Sequence, residues 1–460
     1  MRPISDPDQV DLAASVVGSV AAAAPGADVE VTVVRAEQAL TRFANSAIHQ
    51  NVADESATMS LRVHLDGRTV TLSTSASSAN GDSLTAFVSR ALDAVTSGPA
   101  DPGWPGVAPP CEIPPPAHAP PVGPAAERAA VVRAFVDAAG GLETAGYCRV
   151  THTESAFANS AGHTAAAAFS TAAFDGIARS AAGDGVARIA ADALDGIDGT
   201  ALGRRAAAKA IAAADPVELP AGRYPVLLEP AAVADLTLAF AAYGFSGKAV
   251  TQRQSFADVG APQFDPTVTF VDDAPGDGVT FDADGTPTAR LVLVDAGTTA
   301  AVTHDRRTAA EAGATSTGHA VGVGPLGAIA LHLTLEPGGD AGGDTDDAPA
   351  LVAPAAAALL PSVERAILVS DFWYTRVLDP KSLAITGLTR NGVWLVENGE
   401  VTSPVKNFRF TQTYPAALAP GSVNQVGATA VGCPSSWLNA RWTVPALHLA
   451  SWNVTGGASG

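Results

Sequence analysis

A seven-residue segment that occurs twice is the strongest constraint on the fold of this chain. Residues 43–49 read Phe-Ala-Asn-Ser-Ala-Ile-His, and residues 157–163, which lie 114 positions later, repeat six of the seven. Each copy is followed by a strand-like run and an Asp-Gly pair, Asp66-Gly67 and Asp175-Gly176. Asp-Gly pairs favour the tight turns of β-hairpins. We therefore predict one extended sheet built from two related hairpin units, both before Asp215.

Four segments around these hairpins have the pattern of helices. The helices are predicted over residues 7–24, 83–95, 125–139 and 198–214. Between the second and the third, residues 99–124 are rich in proline, which is typical of a stiff surface connection. Residues 1–215 are therefore predicted to form an N-terminal α/β domain with an extended sheet and flanking helices.

The second half of the chain is predicted to be rich in short strands. Residues 226–228 have the pattern of a buried strand, and residues 230–243 that of a helix with proline in its first turn. Further on, Asp-Gly, Asn-Gly and Pro-Gly pairs separate short strand-like runs, and Asn391-Gly392 is predicted to form a type I′ hairpin turn. We predict a β-rich C-terminal domain over residues 220–460, and thus an α+β fold with two domains.

Charge and cysteine content argue against several classes of function. The 27 Lys and Arg residues are outnumbered by 46 Asp and Glu, which gives a formal charge of −19, and no basic cluster stands out. A nucleic-acid groove or an anionic membrane surface needs such a cluster, so neither partner is expected. Three widely separated cysteines without a CxxC pair favour a reducing compartment over a disulfide scaffold.

The N-terminus and the apolar segments predict a cytoplasmic protein. The chain starts with an Asp-rich stretch and has no basic region ahead of a long apolar core, which argues against a signal peptide. No stretch of about 18 apolar residues is free of glycine, proline and charge, so no membrane span is expected. We therefore predict a soluble protein of the cytoplasm.

The nine histidines do not form a zinc-binding helix motif. None is followed by glutamate and no two lie three to five residues apart, so an HExxH helix cannot be drawn. No serine lies in a GxSxG elbow, and there is no Walker lysine loop. His163 and His319 lie in glycine-flanked polar stretches. Each could belong to a loop that faces a ligand, or be an ordinary histidine of a surface or turn.

Three segments near the C-terminus resemble a known family. They read SDFWYTRVLDP at 370–380, TGLTRNGVWLVENGE at 386–400 and PVKNFRF at 404–410. Their order is similar to the C-terminal half of the TldD/PmbA (TldD/TldE) family of zinc metallopeptidases, also described as modulators of DNA gyrase. The resemblance covers essentially the whole chain, with supporting segments at 62–68, 159–162, 272–273, 281–288 and 316–320.

The resemblance locates a degenerate zinc helix. In this family the active subunit, TldD, carries an HExxxH helix and a later cysteine, whereas its partner, TldE or PmbA, lacks the helix motif. The matching segment here is 227–235, which holds no histidine. Cys433 by itself does not make a catalytic zinc site. The vestigial counterpart of the zinc helix is Glu229, Pro230, Ala234 and Asp235.

The resemblance therefore implies a non-catalytic, TldE-like subunit with no metal and no catalytic residues of its own. Such a subunit pairs with a TldD-type catalytic subunit, which holds the zinc, in a heterodimer that encloses a proteolytic chamber. An unfolded peptide substrate would lie there as an added strand and be cut by zinc-bound water on the other subunit. Asn159, Ser160, His163 and His319 are predicted to face this peptide.

Two other functions stay open at this point. The chain could be a stand-alone or self-associating peptide-binding or assembly protein without any protease partner. It could also be an independent hydrolase with unrelated ligands, which would require stoichiometric zinc in the purified chain. Whether the same genome encodes an HExxxH-bearing homologue beside this chain distinguishes the first of these from the partner-subunit function.

Overall fold

The first half of the protein consists of long antiparallel strands with helices packed on them. The computed structural model describes residues 7–76, 81–115, 119–322, 326–339, 349–435 and 440–458. The strands of this half are β1 (Asp28–Ala44), β2 (Ala47–Leu65), β3 (Arg68–Ser75), β4 (Glu143–Asn159), β5 (Thr164–Arg179) and β6 (Asp184–Ala191). Its helices, each close to its predicted bounds, are α1 (Pro7–Ala23), α2 (Gly81–Ser97), α3 (Ala125–Ala138) and α4 (Gly199–Ala212). No helix within the described ranges has the length and apolarity that a membrane crossing needs.

The two hairpins predicted to share one sheet are present, but their turns lie in the repeated segment itself and were predicted at the Asp-Gly pairs. The first copy turns between β1 and β2 at Asn45 and Ser46, whose φ angles are 49° and 59°. The second copy turns between β4 and β5 at residues 160–163. Strands β1 and β4 pair antiparallel, so the two hairpins lie side by side in one sheet. Asp66-Gly67 joins β2 to β3, which confirms the turn predicted there.

The pair Asp175-Gly176 does not form a turn, and the prediction of one was wrong. Both residues lie inside β5, where Gly176 pairs with Gly146 of β4. The ring of Phe135 on α3 packs over this position, and a Cβ atom on Gly176 would lie 2.6 Å from its Cζ atom. Glycine therefore permits a close approach of the helix to the sheet. The chain turns a few residues later, at 180–183.

The second half is β-rich, as predicted. Its strands are β7 (Gly222–Leu228), β8 (Phe270–Asp272), β9 (Leu291–Asp295), β10 (Thr298–Thr299), β11 (Leu333–Leu335), β12 (Arg365–Asp379), β13 (Ala384–Glu397), β14 (Glu400–Pro404), β15 (Phe408–Thr413), β16 (Val423–Val426), β17 (Val431–Pro434), β18 (Arg441–Val444) and β19 (Leu447–Gly457). Its helices are α5 (Pro230–Ala239), α6 (Gly247–Thr251), α7 (Arg306–Ala312), α8 (Pro354–Ala357) and α9 (Tyr414–Ala417). The helix predicted from residue 230 begins there and passes into a π turn at Phe240–Gly244.

In the described part of the chain, two sheets organise these elements into an α+β fold with two domains. A twelve-stranded sheet has the order β10-β9-β8-β11-β18-β17-β6-β5-β4-β1-β2-β3. A seven-stranded sheet has the order β12-β7-β19-β15-β13-β14, with β16 paired to β19. Because β12 also pairs with β13, the second sheet closes into a barrel-like form. The large sheet passes from the first half to the second where Ala190 of β6 pairs with Gly432 of β17.

Asn391-Gly392 forms a bulge inside β13, and the prediction of a hairpin turn there was wrong. The register of β13 against β12 shifts at this point, so both residues face Ser370. Their φ angles are 59° and 136°. A Cβ atom on Gly392 would lie 2.3 Å from Cη2 of the buried Trp394, so the ring needs a glycine beside it. The turn chemistry expected of Asn-Gly occurs instead at Asn398-Gly399, between β13 and β14.

Replacing Gly392 with alanine is expected to lower the free energy of unfolding by about 2–4 kcal/mol. The new methyl group would overlap the Trp394 ring and sit at a φ angle that side chains rarely adopt. Gly457→Ala is the matched control, because a Cβ atom there meets nothing within 4 Å. Urea denaturation measures both variants, and equal midpoints would contradict the bulge assignment.

Candidate functional site

The segment that matches the family's zinc helix runs from a buried strand directly into a buried helix. Strand β7 ends at Leu228, Glu229 occupies the N-cap, and Pro230 is the first residue of α5. Proline is well suited to this place because its fixed φ matches the first turn, where an N–H has no helical acceptor. Helix α5 contacts β12 of the smaller sheet and β17 and β18 of the larger one. Its start therefore lies where the two sheets meet.

Glu229 is held in a buried ion pair. Its Oε2 atom lies 2.5 Å from Nζ of Lys209 on α4, and its Oε1 atom accepts a hydrogen bond of 2.7 Å from the backbone N–H of Ala353. Both charged side chains are almost completely buried. Burial lowers the pKa of Lys209, and the attraction of Glu229 opposes that shift. Both carboxylate oxygens are thus occupied, and a cation already lies beside them.

Asp235, further along α5, is also fully engaged within the protein. Its Oδ1 atom accepts a hydrogen bond of 2.8 Å from the hydroxyl of Thr375 on β12, and its Oδ2 atom accepts one of 2.8 Å from the hydroxyl of Tyr414 on α9. Burial raises the pKa of Asp235, while the two hydrogen bonds act in the opposite direction. The neighbouring Ala234 is buried and apolar. Asp235 therefore ties α5 to the barrel-like sheet.

A second buried ion pair lies close by, between the two sheets. Arg188 of β6 donates a hydrogen bond of 3.2 Å to Oδ1 of Asp371 on β12, and its second terminal nitrogen lies 3.1 Å from Oδ2. Burial raises the pKa of Asp371 to about 6, and the charge of Arg188 opposes that shift. Burial also raises the pKa of the Cys433 thiol on β17 to about 12. In the absence of a metal ion, Cys433 is therefore a protonated thiol.

These side chains do not fit a catalytic zinc ion. Such a site takes three protein ligands from histidine, carboxylate or thiolate groups and keeps a fourth position open. Here both carboxylates on the segment are occupied by protein donors, and the segment holds no histidine. Across the described residues, no three His, Cys, Asp or Glu side chains come together as a metal site. The arrangement suits a structural junction between the two sheets.

A cavity of about 240 Å³ opens beside this junction. Its polar side includes Arg205, Lys209, Glu229 and Ser370, and most of its remaining wall is apolar. An apolar cavity with a few converging polar groups is the usual form of a small-ligand site.

Asn159 and Ser160, predicted to face a peptide, lie at the turn between β4 and β5. Asn159 accepts hydrogen bonds from two backbone N–H groups of its own turn and donates one of 2.8 Å to the carbonyl of Ala108. The hydroxyl of Ser160 accepts a hydrogen bond of 3.0 Å from the N–H of Val29. These contacts fasten the hairpin to β1 and to the proline-rich connection.

His163 and His319, the other two predicted residues, are both buried. Nε2 of His163 lies 2.8 Å from the carbonyl oxygen of Gly285. Nε2 of His319 lies 3.3 Å from Oδ1 of Asp272. Burial acts to lower the pKa of His319, but the Asp272 carboxylate outweighs burial and the net shift is upward. His319 lines a cavity of about 300 Å³ that the other three residues do not reach, so a common peptide-facing role for the four stays a prediction.

The sequence analysis did not identify the partners of Glu229 and Asp235, although the position of one partner, Lys209, is unusual for a lysine. Lys209 lies on the apolar face of α4, at helical spacing from the buried residues Leu202 and Ala206. A lysine in such a stripe is rarely buried unless it has a partner of opposite charge. Tyr414 carries no comparable local signal, because it follows Asp235 by 179 residues.

Comparisons with known proteins agree with this architecture. The family model of the PmbA/TldA metallopeptidase C-terminal domain matches residues 221–456, and that of PmbA/TldA metallopeptidase domain 1 matches residues 29–95. No curated protein sequence matches the chain. Similar solved structures include TldE from Thermococcus kodakarensis, with 16% identity over 98% of this chain and 99% of that one, and a TM-score of 0.78.

Two further structures, each described as a modulator of DNA gyrase, share the fold. The protein from Thermotoga maritima is 18% identical over 96% of this chain and all of its own length, with a TM-score of 0.77. The protein from Bacteroides thetaiotaomicron is 16% identical over 99% of this chain and all of its own length, with a TM-score of 0.78. At identities this low, the structural similarity establishes a shared fold and nothing further.

Lys209→Met is expected to lower the free energy of unfolding by about 3–5 kcal/mol, because it leaves the buried Glu229 carboxylate without a cation. Arg204→Met, at an exposed position of the same helix, is the control and should change the free energy of unfolding by no more than about 0.5 kcal/mol. Adding Glu229→Gln to Lys209→Met removes the buried charge and should restore part of the loss. Urea unfolding at pH 7 measures all three, and a double variant no more stable than the single one would contradict the pairing.

Proposed function

The chain belongs to the PmbA/TldD metallopeptidase family, and we propose that it is a non-catalytic, TldE-like member of that family. In this proposal it pairs with a TldD-type subunit that carries the zinc. Together the two subunits enclose a chamber in which unfolded peptides are cut. The chain's own task is to build part of the chamber wall and to help hold the peptide.

The observation that carries this proposal is the state of the segment at the start of α5. The Glu229 carboxylate is paired with Lys209, and the Asp235 carboxylate accepts hydrogen bonds from Thr375 and Tyr414. A hydrolytic zinc centre at this place would need free ligands and an open position for water. The chain instead uses these residues to join its two sheets. Cleavage by an associated subunit is then the simplest way for this member to serve a peptidase.

The fold comparison supports the same assignment. The similar protein from Thermococcus kodakarensis carries the name TldE, and the superposition covers nearly the full length of both chains. The C-terminal domain model, which includes the degenerate segment, matches 221–456 as one continuous stretch. A fold kept at full length without its metal ligands is consistent with selection for assembly.

An exposed apolar patch on β12 supports assembly through the C-terminal domain. Trp373, Tyr374 and Leu378 are 50%, 63% and 59% exposed, although each is a large apolar side chain. Two arginines lie over the exposed rings: Arg390 is 4.6 Å from the ring centre of Trp373 and Arg376 is 4.1 Å from that of Tyr374. Aromatic and arginine side chains are the residues most enriched at the centres of protein interfaces.

Co-expression of the chain with the HExxxH-bearing homologue from the same genome tests the proposal. The two are expected to elute together at the mass of a heterodimer, and the mixture should cleave an unfolded peptide faster than the homologue alone. An interface between subunits of this size should bury well over ~1,000 Å² in total. Light scattering on the eluted complex gives its mass, and a fluorogenic peptide assay gives its rate.

A matched pair of variants locates the interface. Replacing Trp373 and Tyr374 with serine should weaken the affinity between the two subunits at least tenfold. Tyr243→Ser changes another exposed aromatic residue and should leave that affinity unchanged. Both variants remove exposed side chains, so each should fold like the unsubstituted chain. Two chains that never elute together, with the homologue equally active alone, would contradict the partner-subunit proposal. The stand-alone or self-associating binding protein would then take its place.

A further inference from the structure

The cavity beside α5 has a wall suited to an apolar side chain. It lies between α4 and β6 on one side and β17 and the starts of α5 and α8 on the other. Its volume of about 240 Å³ is below the roughly 300–1,000 Å³ of pockets that hold drug-sized molecules, so its ligand should be small. Apolar wall residues come from each of the surrounding elements: Val186, Ile189, Leu202, Pro230, Pro354 and Val431.

One of the cations at this cavity has no partner in the described part of the chain. Arg188 is paired with Asp371, and Lys209 is paired with Glu229. Arg205, one turn of α4 before Lys209, also lines the cavity, but it makes no ion pair or hydrogen bond with another described residue. Its side chain is half-buried, and this burial lowers its pKa while the more distant Glu229 carboxylate opposes the shift.

A buried hydroxyl at the same cavity also lacks a partner. Ser370 of β12 is fully buried, and its Oγ atom has no hydrogen-bond partner among the described residues. It lies in the cavity wall. Buried hydroxyl groups nearly always form a hydrogen bond, so an unpaired one beside a cavity is available to a bound ligand.

The carboxylates around the cavity do not neutralise Arg205. Glu229 is occupied by Lys209 and by the backbone of Ala353. Asp198 also lines the cavity, but its Oδ1 atom accepts a hydrogen bond from the N–H of Ala201 and caps α4. A partly desolvated guanidinium gains from a counter-charge, and a planar carboxylate is its best geometric match. The cavity therefore favours an anionic group next to an apolar one.

We propose that this cavity binds the α-carboxylate and the apolar side chain of a peptide's C-terminal residue. The guanidinium of Arg205 binds the carboxylate, the hydroxyl of Ser370 donates a hydrogen bond to it, and the side chain fills the apolar wall. All lining residues belong to this chain, so the isolated chain binds the ligand whether or not it assembles with a catalytic subunit. A free apolar carboxylic acid offers the same chemistry as a peptide C-terminus.

Isothermal titration of the full-length chain with defined probes tests this site. The probes are Ala-Ala-Leu with a free carboxylate, the same tripeptide with a C-terminal amide, N-acetyl-leucine and inorganic phosphate. The free tripeptide is expected to bind at least tenfold more tightly than its amide and than phosphate. N-acetyl-leucine binding as tightly as the tripeptide supports the shared acid chemistry, and weaker binding of N-acetyl-leucine assigns the site to peptides.

Variants identify the groups that hold the carboxylate. Arg205→Gln should weaken binding of the free tripeptide at least tenfold and leave the amide unaffected, and Ser370→Ala should weaken it several-fold. Arg204→Gln changes the exposed neighbour on the same helix and should bind like the unsubstituted chain. Thermal melting confirms that each variant is folded before titration. Equal binding of acid and amide, phosphate binding as tight as the tripeptide, unchanged binding by Arg205→Gln, or no binding at all would overturn the proposal.

Discussion

The buried ion pair between Lys209 and Glu229 is the interaction on which the centre of this molecule depends. It joins α4, which packs on the large sheet, to the start of α5, which follows strand β7 of the smaller sheet. A buried charge is tolerated only when its partner and its hydrogen bonds are in place. The pair therefore fixes how the two sheets meet. Arg188 and Asp371 form a second ion pair between the two sheets a short distance away.

This junction also accounts for the proposed division of labour in the family. A catalytic member needs ligand atoms at this place that are free to bind zinc and to activate water. Here the Glu229 carboxylate is paired with a lysine, and hydroxyl groups bind Asp235. Beside this junction lies a small, mostly apolar cavity, where Arg205 and Ser370 have no partner among the described residues and which suits the proposed recognition of a peptide end.

Local signals in the sequence predicted much of the fold but little of the site. Asp66-Gly67 forms a turn as expected, because turn chemistry depends on the residues of the turn itself. Gly176 and Gly392 were misassigned because each makes room for a distant ring, Phe135 or Trp394. The family resemblance located the segment at Glu229 and Asp235. Their partners Lys209, Thr375 and Tyr414 come from other parts of the chain, so the long-range fold was needed to find them.

The zinc content of the purified chain, measured together with peptide cleavage, tests most directly whether this junction has replaced a metal centre. The chain is first passed through gel filtration in zinc-containing buffer and then through metal-free buffer, so that only tightly held metal remains for elemental analysis. The account predicts far less than one zinc per chain and no chelator-sensitive cleavage by the chain alone. One tightly held zinc per chain, with cleavage that a chelator abolishes, would contradict it.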